Sequence, residues 1–169
     1  MSRPSISSYS SHFATYVSLV NDDDINNALK TQTPEVEKFL NSITEEQSLH
    51  RYAEGKWTLK EVLQHLIDAE RVFAYRAMAI ARRDKNSLPS FDENSYAHNS
   101  HANQRSWQEL LAEFVTLRKT TEILFNSFTE EDLNSSGIAS NNPITTNALG
   151  YVTVGHMSHH INIIKERYL

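Results

Sequence analysis

At 169 residues the chain has the length of one domain, and such a domain buries roughly two-thirds of the surface its unfolded form exposes, enough for a core that needs no staples. It contains no cysteine, which excludes a disulfide framework, a thiolate zinc site, an iron–sulfur cluster and a cysteine nucleophile, and nothing argues for secretion. A net charge of -5 and a pI near 5.9, with Lys and Arg scattered along the chain, speak against a nucleic-acid or anionic-membrane surface and leave small molecules, neutral or drawn in by a local cation, as partners.

No apolar run approaches the roughly 20 residues of a membrane-spanning helix. The segment from Met1 to Val20 is Ser-rich, with a single Arg and no uninterrupted apolar stretch, so it lacks the marks of a targeting peptide. It reads as a loose arm, residues 1–23, ahead of a domain at 24–169 in a cytoplasmic protein. A short helix from Ser11 to Val20 packed on the domain fits the same pattern.

Only four Gly and four Pro punctuate the whole chain, and the long stretches between them have helical periodicity without the alternation of strands. The expected fold is all-α. A first helix is predicted from about Asp24 to Ser42, with Pro34 kinking it or opening a second segment. A second begins at Leu59 after the capping box Thr58-x-x-Glu61, with Trp57 stapling onto Val62, and runs to about Lys85. The third starts from an equivalent box, Ser106-x-x-Glu109, and carries Leu110, Phe114, Leu117, Thr121 and Leu124 on one face. The fourth is predicted to open near Asn142 as cap, with Pro143 in its first turn, and to reach Tyr168.

The ends of the first and third helices repeat one another: Phe39-Leu40-Asn41-Ser42-Ile43-Thr44-Glu45-Glu46 beside Leu124-Phe125-Asn126-Ser127-Phe128-Thr129-Glu130-Glu131. Either the chain is two similar helical hairpins, or Thr-Glu-Glu is merely a common way to start a helix. Residues 86–105 exceed the usual helix connection of about 2 to 8 residues and can cross the bundle. The predicted architecture is a four-helix bundle with a long crossover between the second and third helices, which sets the second beside the fourth.

Histidine placement carries the functional reading. His156 and His160 are four apart and stack on one helix face; on the helical wheel Leu149, Val152, His160, Ile163 and Arg167 fall within about 40° of His156, and His159 lies about 60° away. His65, on the second helix, falls at the edge of its apolar stripe. A lone imidazole on an apolar face is ordinarily a satisfied core residue. Three of them lacking partners would forfeit about 1 to 3 kcal/mol each, and one divalent cation would satisfy all three. On spacing alone both readings stand. A zincin is excluded, because Met157 occupies the position of the water-activating Glu, and the Glu-x-x-His pairs of a di-metal bundle are absent. One mononuclear site remains, its three nitrogen ligands suited to zinc or nickel.

Gly55-Lys56-Trp57-Thr58 leading to Glu61 and His65, then Gly155-His156 with His159-His160 and the closing Lys165-Glu166-Arg167-Tyr168, resemble the DinB-like (YfiT-like) family of metal-dependent four-helix-bundle proteins over roughly residues 24–169. The resemblance implies one metal ligand on the second helix and two on the fourth, carried over as His65, His156 and His160. It also implies thiol-dependent transferase chemistry, a small-molecule substrate, possession of a divalent metal with a low-molecular-weight thiol as co-substrate, and a homodimer. Met157 departs from relatives with Glu after the first histidine of the fourth helix. A metal-dependent hydrolase, or a non-catalytic metal-stabilised dimer or binding module, is the alternative.

The remaining candidates are fewer. Asp68, one turn after His65, is the candidate catalytic carboxylate, orienting that imidazole or acting as a base, against a plain solvated role. Glu61 is explained by its capping box. Arg76 can meet an anionic substrate or pair with surface acids. His98 and His101 sit in the crossover, where a lid or a solvated loop fits equally, and His12 and His50 show no pattern. Phe73, Tyr75, Phe91 and Tyr96 read as core or loop anchors.

Overall fold

The computed structural model describes residues 2–169; Met1, the first residue of the predicted arm, lies outside them. Eight helices and one hairpin follow in chain order: α1 (Ala14–Ser18), α2 (Ile25–Asn41), α3 (Glu45–Ser48), α4 (Leu59–Ala81), α5 (Glu93–Asn99), α6 (Trp107–Asn126), α7 (Glu130–Leu133), β1 (Ser136–Ala139), β2 (Asn142–Thr145) and α8 (Thr146–Arg167). The long helices α2, α4, α6 and α8 form a four-helix bundle. Each packs on two others: α4 against α6 and α8, and α2 against the same pair, so α2 and α4 are diagonal. No helix among the described residues is long and apolar enough to cross a membrane.

The capping signals act where the sequence places them. Thr58 and Ser106 each accept from the N–H three residues on, while Glu61 and Glu109 reach back to the cap N–H, so both boxes are complete. Asp24 caps α2, and Pro34 lies inside that helix. The Thr-Glu-Glu repeat corresponds to two one-turn helices, α3 and α7, each opened by its own capping box. Helix α4 stops at Ala81, four residues before the expected end, where the chain turns through Arg83 with φ of 63°.

Two expectations are corrected. Residues 136–145 do not begin the last helix: they form an antiparallel hairpin with Ile138 opposite Pro143, turned by Ser140 and Asn141 at φ of 52° and 61°. Positive φ at both central residues is the primed turn that matches strand twist, and Asn142-Pro143, which reads as a cap and first turn, is instead strand. Thr145 caps α8. The N-terminal segment is also not loose. Its helical part, the second of the two readings, buries Phe13, Val17 and Val20 in the core, and Arg3 donates to the Val17 and Val20 carbonyls.

The core comprises two apolar clusters, one at each end of the bundle. A polar layer lies between them. Arg118 of α6, fully buried, donates through Nε and Nη2 to Glu70 of α4 at 2.8–3.1 Å and through Nη1 to Gln32 of α2 at 2.7 Å. Gln32 Nε2 in turn donates to the Val154 carbonyl and Ser158 Oγ of α8, both at 2.8 Å. Helix α1 docks on α8 at Gly155, where a Cβ would stand 1.9 Å from the Tyr16 carbonyl oxygen, a contact only glycine permits.

Two outcomes are expected. Arg118→Ala leaves Glu70 charged and buried without its partner and should cost about 3–5 kcal/mol in chemical denaturation. Gly155→Ala should push α1 off α8, costing about 1–3 kcal/mol and speeding chymotrypsin cleavage near Tyr16; unchanged cleavage would show that α1 does not depend on this approach.

Candidate metal centre

The packing of α4 on α8 brings one imidazole from α4 to two from α8. One nitrogen from each of His65, His156 and His160 lies within 4.8 Å of the others, and the His65 and His156 Nε2 atoms are 3.2 Å apart. Two nitrogens bound to one tetrahedral zinc at about 2.0–2.1 Å are themselves ~3.3 Å apart, so the spacing fits a shared cation. The link between His65 and His156 is the only side-chain hydrogen bond that any of the three makes among the described residues. Neither a carboxylate nor a hydroxyl accounts for their burial.

Electrostatics keep the three imidazoles neutral, each with one nitrogen lone pair. Burial pushes His65 down to about 4, and burial with the neighbouring His65 and His159 pushes His160 down to about 3. His156, the most enclosed, is held well below its ordinary value by burial and then by the other three imidazoles. All three therefore offer lone pairs at neutral pH, which is what a cation requires. The donor set is all nitrogen, so the residues present fit one divalent ion of borderline softness.

Aromatic rings wall the centre. Trp57 lies 5.0 Å from His65, Phe73 5.4 Å and Tyr16 5.3 Å from His156, centroid to centroid. Cavities open on two sides. One of about 440 Å³ is lined by His65, His156, Tyr16, Phe73, Arg76 and the crossover residues Ser90 to Asn94. The other, of about 240 Å³, is lined by His160, Trp57, Lys56 and Tyr168. The Tyr16 hydroxyl is held above its ordinary value, first by burial and then by Glu93, so it remains a proton donor at neutral pH.

The remaining predicted residues are dispersed. Asp68 accepts from Gln64 at 3.0 Å and lies 3.6 Å from Arg71, both on its own helix, and it lines neither cavity. Burial raises its pKa, and no hydrogen bond among the described residues joins it to the histidines. Glu61 is spent on the Thr58 N–H and on Asn103. His65 is 4% exposed, within the core and not at its edge. His159 sits beside the triad against Tyr16. His98 and His101 line neither cavity, although the crossover itself borders the larger one.

Sequence reasoning missed Tyr16 and His12, which line the larger cavity from the N-terminal segment. The available signal was Gly155, since a glycine inside a helix marks a close backbone approach.

Comparison with known proteins agrees with this picture. A family model described as the DinB superfamily matches residues 28–164. A curated relative from Oceanobacillus iheyensis, named "putative metal-dependent hydrolase", is 28% identical over 79 residues, which are 44% of this chain and 45% of the relative, so the match spans less than half of that protein. Among solved structures, YfiT from Bacillus subtilis, described as "a probable metal-dependent hydrolase with an unusual four-helix bundle topology", superposes with a TM-score of 0.68 at 20% identity, covering 98% of this chain and 91% of that one. At that identity the likeness speaks for the fold.

A pH dependence follows from the lowered histidine pKa values. In the metal-free protein the unfolded imidazoles bind protons near 6.5 while the folded ones resist until about 4 or lower. Stability should then be full above pH 6.5 and fall as pH drops toward 4. Tm measured over that window should decline in the chelated wild type and much less in a His65→Asn, His160→Asn variant; parallel profiles would mean that the imidazoles do not resist protonation.

Proposed function

Because the chain belongs to the DinB superfamily, we propose that His65, His156 and His160 hold one divalent cation, zinc or nickel, in a metal-dependent enzyme that transfers a low-molecular-weight thiol to a small-molecule substrate. The observation that carries this reading is that the triad lies between two cavities, with His65 and His156 facing one and His160 the other. A transferase must bring two molecules to one centre. Cavities on both sides of the triad, with Asn94 bordering each, meet that need.

A cation held there supplies Lewis acidity, lowering the pKa of a thiol or water that reaches it. The protein supplies the rest. Trp57 and Phe73 exclude bulk water from the imidazoles, which sharpens every electrostatic interaction within. The Tyr16 hydroxyl, still protonated at neutral pH, can donate to negative charge developing on the substrate or leaving group. The hydrolase reading is favoured by the names of the Oceanobacillus and Bacillus proteins, and it uses the same three histidines.

The test begins with elemental analysis of tag-free protein purified without chelator. About one equivalent of zinc or nickel is expected, lost in His160→Ala and largely kept in His159→Ala. Consumption of an electrophilic aryl halide only when a small thiol is added supports the transferase, whereas metal-dependent ester or amide cleavage without thiol assigns the hydrolase. A metal-free, normally folded wild type would make the histidines a structural cluster.

A further inference from the structure

The larger cavity holds a charge that the metal chemistry does not use. His65, Ala69, Phe73 and Arg76 recur at helical spacing along α4 and all line that cavity. Arg76 is 3% exposed. Its Nη2 donates to the Pro89 carbonyl at 2.6 Å and to Ser140 Oγ at 2.9 Å, and these are its only hydrogen bonds among the described residues. Nε and Nη1 make no hydrogen bond to the protein, and among the described residues no carboxylate lies within ion-pairing distance.

Other arginines of this protein are treated differently. Arg71, Arg105 and Arg118 each have a carboxylate at 2.5–2.8 Å. A buried charge without a counterion carries a desolvation penalty of several kcal/mol. The tie between α4, the crossover and the hairpin uses one terminal nitrogen of the guanidinium and leaves the rest of the charged group unassigned. Burial accordingly holds the Arg76 pKa below its ordinary value. The positive charge itself is what needs a purpose, and its free nitrogens adjoin a cavity large enough for a small molecule.

We propose that Arg76 recognises a carboxylate on the substrate, which lies extended along α4 with its anionic end at Arg76 and its reacting end at the histidine triad. The 11-residue interval between His65 and Arg76 corresponds to about 16 Å of helix axis, so the ligand is elongated. Neutral donors surround the anionic end: Ser90, Ser140 and Asn142 line the same cavity. The acids Asp92 and Glu93 border it as well. Asp92 is occupied with the Asn94 and Ser95 N–H groups at the start of α5, yet both carboxylates disfavour a doubly charged phosphate and select a monoanion. The assignment builds on the proposed use of this cavity as the substrate site, but it does not require the metal.

The experiment is a titration of the full chain with hexanoate, hexanamide and inorganic phosphate, followed by amide chemical shifts, on protein as purified and again after chelation. A carboxylate is itself a metal ligand, so the chelated sample separates the two causes. Hexanoate should bind at least tenfold more tightly than hexanamide in both samples, and more tightly than phosphate. Arg76→Gln, which removes the charge and ends short of Pro89 and Ser140, should reduce the preference to about one while metal content stays near wild type; Arg76→Lys, which keeps the charge, should restore part of it. Equal binding of acid and amide, no binding of either, a preference that survives in Arg76→Gln, or one that vanishes with the metal would each overturn the assignment. Tighter binding of phosphate would overturn the carboxylate class. Absence of metal from the purified protein would sink the metal reading and leave this result interpretable.

Discussion

One guanidinium touches every long helix of this bundle, directly or through a single amide. Arg118 ties α6 to α4 through Glu70 and to α2 through Gln32, which passes the contact to α8 at Val154 and Ser158. Apolar packing is tolerant of small rotations, because a leucine finds contacts over a range of angles. A buried ion pair is not tolerant, since losing its geometry leaves two charges in a low-dielectric interior. The layer at Arg118 therefore fixes the azimuth of each helix between the two apolar clusters.

The histidine triad lies at the same level of the bundle. His65 precedes Glu70 by little more than one turn of α4, and His156 sits between Val154 and Ser158, the two α8 residues that Gln32 grips. Setting those helices by the Arg118 layer also sets the imidazoles, without any bond from the layer to the rings. On the far side of α8, Gly155 admits the backbone of α1 and with it the Tyr16 ring against His156. The centre is thus enclosed by rigid elements on every side except its two cavities. Preorganisation of this kind is what holds donor nitrogens within reach of one another before any ligand arrives.

Arg118 and Arg76 illustrate two uses of one residue type. Both are almost fully buried. Arg118 has its carboxylate within the protein and serves structure, whereas Arg76 keeps its charge unmatched at the wall of a cavity next to the imidazoles. Burial produces the neutral histidines and leaves the Arg76 cation without an acid partner among the described residues, so one low-dielectric environment acts on both along a single helix face.

The amino-acid sequence by itself determined the local and periodic features. Capping boxes at Thr58 and Ser106 placed the starts of α4 and α6, because those signals are hydrogen bonds made within four residues. The four-residue spacing of His156 and His160 set them on one face for the same reason, and the motifs around His65 and His156 carried the family. The tertiary structure alone decided what depends on contacts distant along the chain. That Arg76 has no acid partner among the described residues, that residues 136–145 form a hairpin, and that the N-terminal segment closes the cavity with Tyr16 all follow from packing between elements. Local periodicity fixes which face a residue occupies, but only the meeting of helices fixes what that face meets.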